Sequence, residues 1–385
     1  MSPIGPLGPI VRVRAGFIAG IVGSFLLNTL PMNYTTLFHF RPALARLLAG
    51  AAGVLCFSTP LLQAAPALPP LSPADGLGVN IHFTDPQPGE MEMIAAAGFK
   101  WVRMDLTWSQ TEKVKGKYDF SAYDRLLAAL DKQKMHALLI LNYGNPLYAD
   151  PGDKSPFTSR VGTREFHAAF TKWAAAAVSR FAGRGCIWEM WNEPNYKGFW
   201  APAPSATQYA ALAKATAAAV HAAAPGEPMI GPASSTFDFN FLEACFKAGL
   251  LENWSAVSVH PYREAEPATA AVDFQRLRDL IAKYAPKGKA IPIISSEWGY
   301  STTKVDEATQ ADYIVREFSS NLAAGIPLSI WYDWHDDGDD PANAENRFGL
   351  VRHQYHAGRD PVYDPKPSYL AIKAFAAKLR ASAAH

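Results

Sequence analysis

Two glutamates stand where this chain could do chemistry. Glu193 closes the stretch Gly185-Cys186-Ile187-Trp188-Glu189-Met190-Trp191-Asn192-Glu193-Pro194-Asn195, an apolar, aromatic run of strand character. The run breaks at Pro194, whose ring supplies no donor to a ladder. Glu297 closes a second, β-branched run, Ile291-Pro292-Ile293-Ile294-Ser295-Ser296-Glu297-Trp298-Gly299-Tyr300. Burying a carboxylate among tryptophans is costly unless the group is hydrogen-bonded or kept protonated. Either glutamate alone could be a satisfied strand end before a turn. Together they can form a pair in which one carboxyl is held ionised and the other protonated, the basis of acid and nucleophile working at one pH.

Such a pair needs a frame. The separation, 297 − 193 = 104 residues, fits three strand–helix units of roughly 35 residues, since about 250 residues make eight. After the stiff segment Pro66-Ala67-Leu68-Pro69-Pro70-Leu71-Ser72-Pro73 an alternation begins. Strand candidates are Leu77–Phe83, Trp101–Leu106, Ala137–Leu141, Cys186–Trp191, Met229–Gly231, Ala256–His260, Ile291–Ser295 and Leu328–Trp331. Helical patterns follow at Glu90–Ala97, Tyr123–Lys132, Arg164–Phe181, Ala206–Ala223, Phe239–Ala248, Val272–Tyr284, Glu307–Ala324 and Lys366–Leu379. Strands alternating with helices call for a parallel sheet with both faces covered. Eight such pairs predict a single α/β domain over 76–385, a (β/α)8 TIM barrel, with both glutamates at the carboxyl ends of strands, where barrels keep their chemistry.

The other strand exits collect candidate site residues. They are Asn80 and His82; Arg103 and Asp105, then Trp108 and Glu112; Asn142 and Tyr143; His260, Pro261 and Tyr262; and Trp331, Asp333, Trp334 and His335. Singly, Arg103 and Asp105 read equally as an interior ion pair, and His82 as a satisfied core histidine. Converging on one end, they mark a site. Asn192 and Glu193 are adjacent, and side chains alternate along a strand. Both can point inward only if the backbone is irregular after Trp191.

Composition narrows the partners. The 385 residues carry 36 basic and 35 acidic side chains, a net charge of +1, which asks for neither nucleic acid nor an anionic membrane. Ten tryptophans and fifteen tyrosines could offer flat faces to a flat, polar-edged ligand such as a sugar ring. Cys56, Cys186 and Cys245 form no metal-type spacing, and no cofactor motif is present, so neither metal nor cofactor is expected. Cys186 and Cys245 could pair but read as small buried residues. Asp336-Asp337-Gly338-Asp339-Asp340 looks like half a calcium loop without its later glutamate, and reads as a solvated turn.

The amino terminus reads as a targeting segment. Leu47–Leu62, preceded by Arg41 and Arg46 and followed by Ala65-Pro66-Ala67, has the pattern of a secretory signal. Met32 would start a signal segment spanning 32–67, leaving 1–31 as an extension and 68–75 as a Pro-rich linker. A secreted or periplasmic protein is expected. The alternative is a membrane anchor through Ala15–Leu30, a run short for a span of about 20 residues.

These residues resemble clan A glycoside hydrolases, which carry an Asn-Glu pair ending strand 4 and a glutamate ending strand 7. The phrase Trp191-Asn192-Glu193-Pro194-Asn195 and the loop Trp108-Ser109-Gln110-Thr111-Glu112…Gly116-Lys117-Tyr118-Asp119-Phe120 are most similar to family 39, with family 5 as the other candidate. The resemblance implies a retaining hydrolase of an extracytoplasmic polysaccharide or oligosaccharide, acting as a monomer. It makes Glu193 the acid/base and Glu297 the nucleophile. Asn192 would bind the sugar's 2-hydroxyl, Tyr262 would orient Glu297, Arg103 would help hold Glu297 ionised, and Trp331 would floor the −1 subsite. Substrate contacts are also expected from His82, Trp108, Asn142, His260, Trp298 and Trp334. A transglycosylase with the same residues, or a non-catalytic sugar-binding barrel, are the alternatives.

Overall fold

The computed structural model describes residues 65–149 and 161–383. The expected extension, most of the signal segment, both apolar amino-terminal runs and Cys56 lie outside the described residues. Eight parallel strands close in sequence order: β1 (Leu77–Asn80), β2 (Trp101–Thr107), β3 (His136–Asn142), β4 (Ile187–Met190), β5 (Met229–Ser235), β6 (Ala256–His260), β7 (Ile293–Trp298) and β8 (Ser329–Trp331). The ring is completed by β1 lying parallel to β8, with Val79 opposite Trp331. The (β/α)8 barrel is the fold.

Helices cover the outside: α1 (Glu90–Ala96), the short α2 (Trp108–Thr111), α3 (Ser121–Lys132), α4 (Arg164–Phe181), α5 (Ala206–Ala223), α6 (Phe239–Lys247), α7 (Ala270–Tyr284), α8 (Glu307–Ala323) and α9 (Pro367–Ala383). The longest show why they form. In α4, Phe166, Phe170, Trp173, Ala174, Ala177, Val178 and Phe181 are buried at helical spacing, and the Thr163 side chain caps the first turn by accepting from Phe166 N. Asp306 caps α8 in the same way.

Strand alternation sorts the core into two layers. Trp101, Leu138, Ile140, Ile187, Ile230, Ala256, Ile294, Leu328 and Ile330 fill the barrel interior. Their neighbours along the strands, such as Val102, Leu139, Trp188, Val257 and Trp331, pack outward with the helices. The segment expected to be a linker does more than connect: Leu68 and Leu71 pack against the interior layer from the amino-terminal end. Cys186 and Cys245 are buried free thiols.

The short α2 was not anticipated, and neither was a hairpin. Between β8 and α9 the chain forms an antiparallel hairpin, β9 (Val351–Tyr355) with β10 (Tyr363–Pro365). It is tied to the preceding loop by Asp336, which corrects the reading of that loop as wholly solvated. Asp336 is fully buried, accepting from Lys366 Nζ at 3.0 Å and Gly349 N at 3.1 Å. A buried carboxylate survives because it is paired and hydrogen-bonded. Asp337, Asp339 and Asp340 remain exposed.

Candidate active site

The carboxyl ends of the strands converge on Arg103, which is buried inside the barrel. Its Nε donates to Glu189 Oε2 at 2.7 Å, Nη2 to Asn192 Oδ1 at 2.7 Å, and Nη1 to Asn80 Oδ1 at 3.2 Å and to Glu297 Oε2. Burial would lower its pKa, but Glu189 and Glu297 raise it and keep the guanidinium charged. A planar fork of donors suits this task, since each N–H meets a separate acceptor.

Nη2 also lies 3.3 Å from His260 Nε2. A guanidinium only donates, so Nε2 must accept and the His260 proton sits on Nδ1. Nδ1 therefore donates to Glu193 Oε1, at 2.9 Å. Its distance to Glu297 Oε1 is 3.8 Å. Glu297 Oε1 accepts instead from the Tyr262 hydroxyl at 2.9 Å. Burial would push the Glu297 carboxyl up; the Arg103 guanidinium beside it, with the hydrogen bonds from Tyr262 and Arg103, outweighs that and holds it below the ordinary range. One oxygen each of Glu193 and Glu297 and a His260 nitrogen all lie within 4.8 Å of one another.

Both members of the Asn192–Glu193 pair reach this site, and the irregularity this requires is present. Strand β4 ends at Met190, and Trp191 and Glu193 adopt left-handed backbone conformations with φ of 68° and 46°. For non-glycine residues this costs about 1–3 kcal/mol each and persists only where the surroundings over-determine it. Here the Glu193 amide donates to Ala233 O at 3.0 Å and the Trp191 indole to Phe199 O at 2.9 Å.

Beside the pair, Asn142 donates to Asp105, whose pKa burial raises. At the β1 and β8 exits His82 Nε2 lies 3.3 Å from Asp333. Burial lowers the His82 pKa, but Asp333 more than offsets this and lifts it to about 9. His82, Asp333 and Asp337 also bring an imidazole and two carboxylates within 4.8 Å, a donor set that could take a divalent ion. The Glu193–His260–Glu297 set could do so only by giving up the hydrogen bonds just described.

The expected tryptophans are the main correction. Trp108, Trp298, Trp331 and Trp334 are at most 1% exposed and belong to the outer, helix-facing layer. The Trp108 ring is packed among Tyr148, Phe166, Phe170 and Trp173, and Trp334 donates to Glu90 at 3.0 Å. Alternation explains Trp331: its neighbour Ile330 takes the inward position. The aromatic that remains partly exposed at the β8 exit is Tyr332, edge-on to His82 at 5.5 Å. Gly299 permits this, because a Cβ there would lie 1.9 Å from Tyr332 O. Sequence reasoning also passed over Glu189, though a charge two residues after the inward-facing Ile187 was a signal for it.

A (β/α)8 barrel with an Asn-Glu pair leaving strand 4 and a glutamate ending strand 7 is the architecture of a clan A glycoside hydrolase. The family model described as Cellulase (glycosyl hydrolase family 5) matches residues 75–338, and the chain belongs to that family. Among solved structures, a family 39 glycoside hydrolase from the gut symbiont Bacteroides cellulosilyticus WH2 is 25% identical, with a TM-score of 0.69 over 81% of this chain. This chain spans 66% of that enzyme, just under two thirds. A monomeric β-xylosidase from Caulobacter crescentus CB15 is 21% identical (TM-score 0.62, covering 81% of this chain and 69% of that one). GH5_18 from Streptomyces cattleya, in complex with GlcNAc, is 16% identical (TM-score 0.62, covering 82% and 81%). No curated protein matches the chain.

Proposed function

We infer that the protein is a retaining O-glycoside hydrolase acting as a monomer on a β-linked polysaccharide or oligosaccharide outside the cytoplasm. One observation carries the stereochemistry: oxygens of Glu193 and Glu297 lie within 4.8 Å. Retaining enzymes hold their carboxyl groups about 5–5.5 Å apart, whereas inverting ones leave about 6.5–9.5 Å for water.

Glu297, held ionised by Arg103 and Tyr262, attacks the anomeric carbon while Glu193 gives its proton to the departing oxygen. Water then attacks the same carbon, its proton returns to Glu193, and the Glu297 carboxylate is released. His260 occupies Oε1 of Glu193, which leaves Oε2 to carry the proton. Asn192 has its Oδ1 engaged by Arg103, so its amide N–H₂ is the group left for the sugar's 2-hydroxyl. His82, Asn142 and Tyr332 offer further substrate contacts, Tyr332 in the place expected of Trp331. Export rests on the signal-like run alone; amino-terminal sequencing of exported protein should start between about Ala64 and Leu71. NMR of the first-formed product anomer decides the mechanism. A retained anomer is expected, and an inverted one overturns the reading.

A further inference from the structure

Among the described residues four large hydrophobic side chains are exposed, and one is aromatic: Tyr196, 50% exposed, three positions after Glu193. Its place is fixed by the loop that carries Glu193. The Tyr196 amide donates to Glu193 O at 2.9 Å, and its carbonyl accepts from Phe199 N at 3.0 Å and Trp200 N at 3.1 Å. The ring rests on Gly198, where a Cβ would come within 2.8 Å of ring carbon Cε1. Inward from it runs a series of rings: Phe199 at 5.9 Å from Tyr196, then Tyr143 stacked on Phe199 at 5.6 Å. Tyr143 meets Trp191 edge-on at 5.7 Å, at the foot of the Glu193 turn. The ring is thus seated on a glycine beside the proposed proton donor, with Phe199 at its inner edge and half its surface left open.

We propose that Tyr196 is a sugar-stacking platform on the leaving-group side of the cleft, so that the substrate continues as a sugar chain beyond the bond that is cut. The inference rests on Glu193 being the acid. A proton donor faces the departing oxygen, so residues on the Glu193 loop border the departing part of the substrate. A tyrosine supplies broad contact area at low conformational-entropy cost, and its tip tolerates water.

The full chain and Tyr196→Ala are compared on β-xylosyl, β-glucosyl and β-mannosyl fluorides, which carry no leaving-group sugar, and on the corresponding β-1,4-linked tetrasaccharides. Calorimetry gives tetrasaccharide binding in parallel. Loss of one stacking contact should lower tetrasaccharide kcat/KM about tenfold, leave the fluoride rate unchanged, and be restored by Tyr196→Phe. Equal loss on both substrates, or no loss on either, overturns the platform. If neither fluoride nor tetrasaccharide is turned over but tetrasaccharide binding weakens in Tyr196→Ala, the sugar contact stands while its leaving-group placement falls with the hydrolase reading. If the parent neither cleaves nor binds, both fall.

Discussion

The exits of β4 and β7 end in the same residue type and treat it in opposite ways. Glu297 sits at the penultimate position of β7 and is held by two strong donors, a buried guanidinium and a phenol. Glu193 lies past the end of β4 on a left-handed turn, and its one described side-chain partner is the His260 N–H. Donors favour the charged form of a carboxylate, so the surroundings of Glu297 suit the role of nucleophile proposed for it. His260 and Arg103 couple the two halves, since one guanidinium touches Glu297, Asn192 and the histidine that reaches Glu193.

The largest expected effect tests that contrast directly. Glu297→Ala should lose at least about 10⁴-fold in turnover on every substrate, because the covalent intermediate can no longer form. Azide should rescue it with inverted product configuration. Glu193→Ala should lose about 10²–10⁴-fold on natural glycans and far less on an aryl glycoside with a good leaving group, with azide giving retained product. Swapped anomers in the two rescue assays would reverse the roles.

Arg103→Ala should strip the coupling. It leaves Glu189 and Glu297 without their buried counter-charge, which costs about 3–5 kcal/mol in denaturant unfolding. Glu297 is held below its ordinary value of 4.5 in the folded state. Its ionisation thus contributes stability at pH above the unfolded value, and that contribution is lost as pH falls through the folded one. The Arg103 variant should therefore show a shallower stability loss between pH 5 and the acid extreme; an unchanged acid limb would break the assignment.

Tyr262→Phe is the mildest. A hydrogen bond to a charged group contributes about 1.5–3 kcal/mol. The acid limb of kcat/KM should move up by about one pH unit or more, at 1.36 kcal/mol per unit. An unmoved limb would mean that Tyr262 only packs.

All eight strands and all eight anticipated helices were legible, because barrel strands buried on both faces read as apolar runs and the helices carry a 3.6-residue stripe. The break after Trp191 was legible too, since two adjacent inward side chains cannot belong to a regular strand. The tryptophans were not. A large aromatic at a strand end is equally at home in a cleft or under a helix, and only the phase of the alternation decides, as Ile330 and Trp331 illustrate. Glu189 was hidden for the opposite reason: a lone charge inside an apolar strand looks accidental until Arg103 is seen against it. The packing of Leu68 and Leu71 under the barrel left no signal, because a Pro-rich segment looks alike whether free or docked.

The left-handed turn at Glu193 sets working capacity against durability. Glycine at that position would relieve a backbone cost of about 1–3 kcal/mol, and it would remove the group proposed to give the proton. Selection for robustness alone would therefore drift towards a sturdier, inert barrel. The glutamate is the kind of residue that a protein keeps only while its chemistry is in demand.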